Sequence, residues 1–238
     1  MATGLQREAK LIARPGVVAV ACGGHGAVLE AALEARIAAK RPAAVWSMGI
    51  AGALDPALRV GDVVPLPLSP GHAKWRVSRP LPQGEREVLS SPFEGEGDSR
   101  QLPRRGEGVI GVDLAATTVA AKAALRAQTG AAAVDMESHV AARVAARHGL
   151  PFGVLRVISD TAHRDLPPAA CVPLRTDGGV DLPRVLAALA RQPSQLPDLL
   201  RLARDTNRAL AVLLRRLDSL ASDGLLGLDL GELGLDVL

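Results

Sequence analysis

"AAAVDMESHVAARVAARHGLPFGVLRVISD" spans Ala131 to Asp160 and decides the fold. It reads as a short strand (Ala131–Val134), a helix from about Met136 to His148 and a buried strand at Phe152–Ile158. A helix between two strands is the unit of an α/β sheet. The unit carries acidic and hydroxyl groups at both ends, Asp135-Met136-Glu137-Ser138 and Ser159-Asp160, and is nearly all apolar between. That layout is a scaffold holding two functional ends.

The same alternation extends in both directions. "GVVAVACGGHGAVLEAALEARIAAK" (Gly16–Lys40) gives a strand at Val17–Ala21, a glycine turn at Gly23, Gly24 and Gly26, and a helix in which Leu29, Leu33, Arg36 and Ile37 follow helical spacing. "PAAVWSMGIAGALDPALRVGDVV" (Pro42–Val64) gives a strand at Ala43–Trp46, a second glycine turn at Gly49 and Gly52, and a new strand starting at Val60–Val64. "VIGVDLAATTVAAKAALRAQTG" (Val109–Gly130) returns to strand, loop and helix. Residues 65–108 are rich in Pro, Gly, Ser and Arg and read as a long, partly irregular excursion. Residues 181–221 read as C-terminal helices with Leu199, Leu202, Leu210, Leu213, Leu214 and Leu217 as an apolar stripe. Residues 222–238, rich in Gly and Leu, read as a loosely ordered tail. The expectation is one three-layer α/β/α domain over 1–221, with a central mixed, largely parallel sheet. Its ligand edge lies at the carboxyl ends of the strands.

Composition narrows the function classes. The chain has 238 residues, of which 48% are hydrophobic and only 2% aromatic, with no tyrosine, so Ala, Val and Leu must build the core. Four of the basic residues are lysines (Lys10, Lys40, Lys74, Lys122), and the Arg and Ala excess reads as genomic base composition. A net charge of +3 without a dense basic run or interleaved aromatics argues against nucleic acid as a partner. Cys22 and Cys171 match no metal spacing and read as reduced thiols in a cytosolic protein. Polar Thr3, Gln6 and Arg7 follow Met1 where a secretion signal would be apolar, and no segment reaches the ~20 apolar residues of a membrane span.

Each candidate site residue has two readings. Asp160, ending an apolar strand, is either a helix cap or a desolvated carboxyl kept protonated as a general acid. Glu137, in the first turn of its helix, is either a macrodipole partner or a carboxylate accepting from a vicinal diol. Glu8 heads a short helix and is by default solvated. Gly24 and His25, in a Gly-Gly-His-Gly turn, either hold an anion or simply allow tight packing, and His25 reads as a surface histidine. His139 reads as packing or surface.

Taken together, "TGLQREA", "CGGHGAVLEAAL", "SMGIAGALDPALRVGDVV" and "AVDMESHVAARVAARHGLPFGVLRVISD" resemble the nucleoside phosphorylase/nucleosidase superfamily over about Thr3–Ala162, apart from the excursion. With "LPPAA" and "DGGVDLPRVLAALARQPSQLPDLLRLARDTNRA", the chain is similar to the hopanoid-associated phosphorylases, which are taken to remove adenine from adenosylhopane. The resemblance implies cleavage of the N-glycosidic bond of an adenine nucleoside. Glu137 would hold the ribose 2′- and 3′-hydroxyls, Met136 would pack on the sugar, and Asp160, oriented by Ser159, would protonate purine N7. Glu8 would position and activate the attacking water. Gly49, Ile50, Asp113 and Leu114 would line the substrate, with Ile50 where many nucleosidases carry serine and Leu114 where they offer an aromatic. An aspartate at 160 suits the 6-amino group of adenine. The Gly24–His25 turn carries no arginine for phosphate, which favours hydrolysis over phosphorolysis.

The resemblance further implies no cofactor, with water or inorganic phosphate as co-substrate and no metal. It implies a cytoplasmic homodimer or larger oligomer, and a lipid-linked substrate would add peripheral contact with the inner membrane face. The alternatives are a 5′-methylthioadenosine/S-adenosylhomocysteine-type nucleosidase, or a non-catalytic nucleoside-binding protein.

Overall fold

The computed structural model describes residues 1–69, 76–77, 86–90 and 108–222. Its elements run β1 (Ala2–Thr3), α1 (Gln6–Ile12), β2 (Val20–Ala21), α2 (Gly26–Ala39), β3 (Val45–Ala53), β4 (Val63–Ser69), β5 (Arg76–Val77), β6 (Arg86–Ser90), β7 (Val109–Val112), α3 (Val119–Thr129), β8 (Ala133–Asp135), α4 (Ser138–Arg147), β9 (Phe152–Asp160), α5 (Leu182–Arg191) and α6 (Leu196–Ser222). The nine strands form one mixed sheet with helices packed on it, as the α/β alternation requires.

The long parallel pair β3–β9 is the spine, registered from Val45↔Phe152 to Gly52↔Asp160. β1 lies beside β3 through Ala2↔Ser47, and β2 runs parallel to β1 outside it. The last residues of β3 turn to pair antiparallel with β8, and β7 runs parallel to β8. β4 covers the other edge of β9, antiparallel. Every β9 residue is buried, because β9 carries a strand on each edge and helices α4 and α6 pack against it.

Two features of the sequence reading change. Gly49 and Gly52 do not make a turn: β3 runs through them to Ala53, with a register shift at Ala51/Gly52. Glycine there is explained by neighbouring side chains, described below, rather than by chain reversal. The β2 segment shortens to Val20–Ala21. The 65–108 stretch, read as partly irregular, contains the end of β4 together with β5 and β6; residues 70–75, 78–85, 91–107 and 223–238 lie outside the described residues. The C-terminal helices form as expected. Ala209, Leu210, Leu213 and Leu217 of α6 are buried against Ile12, Trp46, Met48, Leu155 and Val157, whereas Leu214 remains partly exposed. Among the described residues no helix is long and apolar enough to cross a membrane.

A second apolar cluster lies on the opposite face, where Leu29, Leu33 and Ile37 of α2 meet Val140, Ala141 and Val144 of α4 over Val45, Phe152, Val154 and Ile158. Gly153 is the tightest point of the spine. It sits opposite Trp46 in register, and a Cβ on it would lie 2.6 Å from the indole ring. Gly153→Ala is therefore expected to lower unfolding free energy by about 1–3 kcal/mol through overpacking. Urea denaturation checks this, and an unchanged midpoint would contradict the packing described.

Candidate active site

The chemistry gathers around one side chain, Arg156, in the middle of β9 and fully buried. A buried guanidinium requires anionic partners. Arg156 Nε lies 2.6 Å from Asp135 Oδ2, an ion pair without hydrogen-bond alignment, and Nη2 lies 3.3 Å from Glu137 Oε2. Nη2 also donates to Ser47 Oγ at 2.6 Å and to Ser138 Oγ at 3.2 Å. Burial alone disfavours the charge, but Asp135, Glu137 and Glu8 outweigh it and hold the guanidinium protonated.

Asp135, at the end of β8, is the junction of this network. Its Oδ1 accepts from the backbone N–H groups of Glu137 (3.2 Å) and Ser138 (3.0 Å), capping the start of α4, and its Oδ2 accepts a short hydrogen bond from Ser138 Oγ. Glu137 is thus the residue preceding α4, not a first-turn residue: its φ/ψ of −119°/−31° and its buried side chain belong to the site. Burial, together with the charges of Asp135 and Glu8, pushes the Glu137 carboxyl up to about 7, with Arg156 opposing.

Glu8 is buried rather than solvated. Its Oε2 accepts from the backbone N–H groups of Gly4 (3.0 Å) and Leu5 (2.8 Å), and its Oε1 from Ile50 N–H (2.7 Å). Burial raises its pKa, while Arg156 and the three amide donors pull the other way. Gly49 makes room for this: a Cβ there would lie 2.5 Å from Glu8 Oε1 and 2.8 Å from Arg156 Nη1. Gly4 does the same for Glu137, whose Oε1 would lie 2.6 Å from a Cβ at that position. Glu8, Glu137, Gly49 and Ile50 therefore converge, and their elements are held together by side chains that occupy glycine's missing volume.

Asp160 ends β9, buried, over Gly52, with a Cβ at Gly52 only 3.2 Å from Oδ2. Ser159 Oγ lies 3.2 Å from Asp160 Oδ1 and 3.3 Å from Ala51 O. The side chain is neither simply desolvated nor a helix cap. Lys122 Nζ, from α3, donates to Oδ2 at 2.6 Å. Sequence reasoning gave this lysine no role and did not single out Arg156, and it named Asp135 only as part of an acidic end without a role of its own.

The remaining expected residues are at the periphery. Met136 lies against Gly24, where a Cβ would come within 2.7 Å of its Cε. His25 is exposed and bonds through Nε2 to Leu174 O at 3.2 Å. The Gly23–Gly24 turn is filled by Met136, the Leu174 side chain and the Arg175 backbone. Asp113, half-exposed, meets the buried His139, Oδ1 to Nε2 at 3.2 Å, so His139 is not a surface residue. Leu114 is 79% exposed. Among the described residues no group of three or more His, Cys, Asp or Glu side chains is placed to hold a metal ion.

Comparison with known proteins agrees with this architecture. The fold matches Helicobacter pylori 5′-methylthioadenosine/S-adenosylhomocysteine nucleosidase, in a structure with 5′-methylthioadenosine in the active site. Identity is 14%, the alignment covers 92% of this chain and 96% of that one, and the TM-score is 0.51. It also matches Helicobacter pylori futalosine hydrolase, at 15% identity, 92% and 96% coverage and a TM-score of 0.50. No curated protein matches the sequence. The family model described as "Phosphorylase superfamily" matches residues 11–177, most of the chain and the whole stretch from β2 to the loop before α5, and the chain belongs to that superfamily.

Proposed function

We propose that the chain is a nucleosidase that hydrolyses the N-glycosidic bond of an adenine nucleoside. The observation that carries this reading is the charge of the buried cluster. One cation, Arg156, serves three carboxylates, Asp135, Glu137 and Glu8. Glycosidic cleavage passes through a state in which the sugar is cationic, and fixed negative charge in a dry site stabilises it. A phosphate nucleophile would add negative charge and need free cationic donors, and this guanidinium is already engaged. Water brings no charge.

Asp160 then gives its proton to purine N7 as the C1′–N9 electron pair passes to the base. Water adds at C1′ and gives a proton to Glu8, whose buried carboxylate is the more basic for its desolvation. Glu137 accepts from the ribose 2′- and 3′-hydroxyls, Met136 packs on the sugar, and Ser159 orients Asp160. Asp113 and Leu114 stand on the base side. No cofactor takes part. The adenine assignment draws support from the methylthioadenosine bound in the Helicobacter pylori relative.

For the 5′ group we favour a long apolar chain, as in adenosylhopane, over the methylthio group. The support is the surface beside the site. The segment before α5 is tied to the chain near Glu8 by Gln6 N–H to Gly178 O at 3.0 Å, and from there Val180, Leu182 (61% exposed) and Leu186 (58%) present apolar side chains to solvent. Contact with a membrane surface and homo-oligomerisation belong to the same proposal.

Adenine release from a soluble 5′-alkyl-adenosine should proceed equally with and without phosphate, and Asp160→Asn should lower kcat at least ~100-fold. Release only with phosphate would exclude water as nucleophile, and no release under either condition would leave a nucleoside-binding protein. Glu137 predicts the pH dependence. A diol-binding carboxylate must be ionised, so kcat/KM should rise with pH through about 7 and level off above it, and Glu137→Gln should lose that limb. Across a series of 5′-substituents, kcat/KM should increase with apolar chain length; turnover confined to methylthioadenosine and other short groups would sink the lipid assignment.

A further inference from the structure

The geometry points to Lys122 as the residue that positions the catalytic acid and stabilises the charge it acquires; this rests on the nucleosidase reading above. Lys122 lies in the second turn of α3, and its side chain is 0% exposed. Lysine is almost never fully buried without a partner. Here all three ammonium protons are placed: on Asp160 Oδ2 at 2.6 Å, on Thr161 O at 2.9 Å and on Arg164 O at 2.9 Å. The last two acceptors belong to the segment that leaves β9. Lys122 therefore ties down both the carboxyl and the backbone that follows it.

The two oxygens of Asp160 become different. Oδ2 is occupied by the ammonium. Among the described residues Oδ1 meets only Ser159 Oγ, whose single proton has Ala51 O as a second acceptor. Oδ1 is thus the oxygen with capacity left for a purine, and the carboxyl is held in one orientation across Gly52. When the proton passes from Oδ1 to N7, the O–H electron pair stays on the carboxyl group and a full negative charge appears there, out of water. An ammonium at 2.6 Å from Oδ2 is preorganised for that charge. The interaction is stronger after proton transfer than before it, so it acts on the transition state more than on substrate binding.

Such a role separates from mere support of the fold. Lys122→Met should lower kcat for an adenine nucleoside ~100-fold with KM changed by less than ~3-fold. The loss should shrink below ~10-fold on 4-nitrophenyl β-riboside, whose leaving group departs without a proton. Equal losses on both substrates, or a change confined to KM, would overturn the proposal. Because Lys122→Met leaves a buried carboxylate unpaired and so destabilises the fold, the test includes a charge-neutral pair. The double variant Lys122→Met/Asp160→Asn removes both charges and should be no slower than Asp160→Asn alone. A further multiplicative loss in the double variant would also overturn it. Wild-type protein that releases no adenine would instead sink the nucleosidase reading itself, whereas an active wild type with an equally active Lys122→Met would sink only the role of Lys122.

Discussion

The buried charge of Arg156 is the constraint on which this structure is arranged. A guanidinium in the middle of a sheet is tolerable only if anions and hydrogen-bond acceptors reach it from several sides. They do so from four separate elements. Asp135 comes from the end of β8, Glu137 and Ser138 from the start of α4, Ser47 from β3, and Glu8 approaches from α1 across Gly49. None of these is adjacent to Arg156 in sequence. The ion cluster therefore welds the N-terminal strand and helix to the β8–α4 unit and the sheet spine. Any shift of one element leaves a buried charge short of a partner, which is a strong penalty against alternative packings.

The same arrangement defines what the site tolerates. Three carboxylates around one guanidinium leave an excess of negative charge, which burial resolves by raising the pKa of Glu8 and Glu137. The cluster is thus poised to hold protons, and on the proposed reading a cationic sugar would balance its charge. At the other end Asp160 is matched one to one by Lys122. On the proposed nucleosidase reading the two ends would serve opposite halves of a bond cleavage, one gaining positive charge and one giving up a proton.

Much of this was legible in the sequence, and the parts that were not have specific causes. The β8–α4–β9 unit was read as strand, helix and buried strand, and its observed limits lie within a few residues of those read. Glu137, Asp160 and Glu8 were recognisable by motif resemblance. Arg156 was not, because it sits inside a run that reads as a wholly apolar strand, in a chain whose arginines are too numerous to stand out. Lys122 was hidden by its spacing: it lies 38 positions from Asp160, and only the packing of α3 against the end of β9 brings them together. Gly49 and Gly52 were misread as a turn because the usual reason for paired glycines is chain reversal. Here the reason is that Glu8, Arg156 and Asp160 need the space above a strand.

That use of glycine explains why so polar a cluster sits in so aliphatic a protein. A core built mainly of Ala, Val and Leu, with two Phe and two Trp in the whole chain, has little bulk with which to wall off charge. The chain excludes water by bringing backbone close instead. Gly4 lets Glu137 lie against β1, Gly49 lets Glu8 and Arg156 cross β3, Gly52 lets Asp160 lie over the end of β3, and Gly111 accepts the ring of His139. At each point a side chain with a polar end packs on bare backbone, and the missing methyl groups set the distances between the polar atoms of the site. The site is thus built into the sheet rather than hung from its loops. Its geometry depends on the register of β3 with β9, and the apolar packing that fixes that register, Trp46 on Gly153 above all, is part of the chemistry.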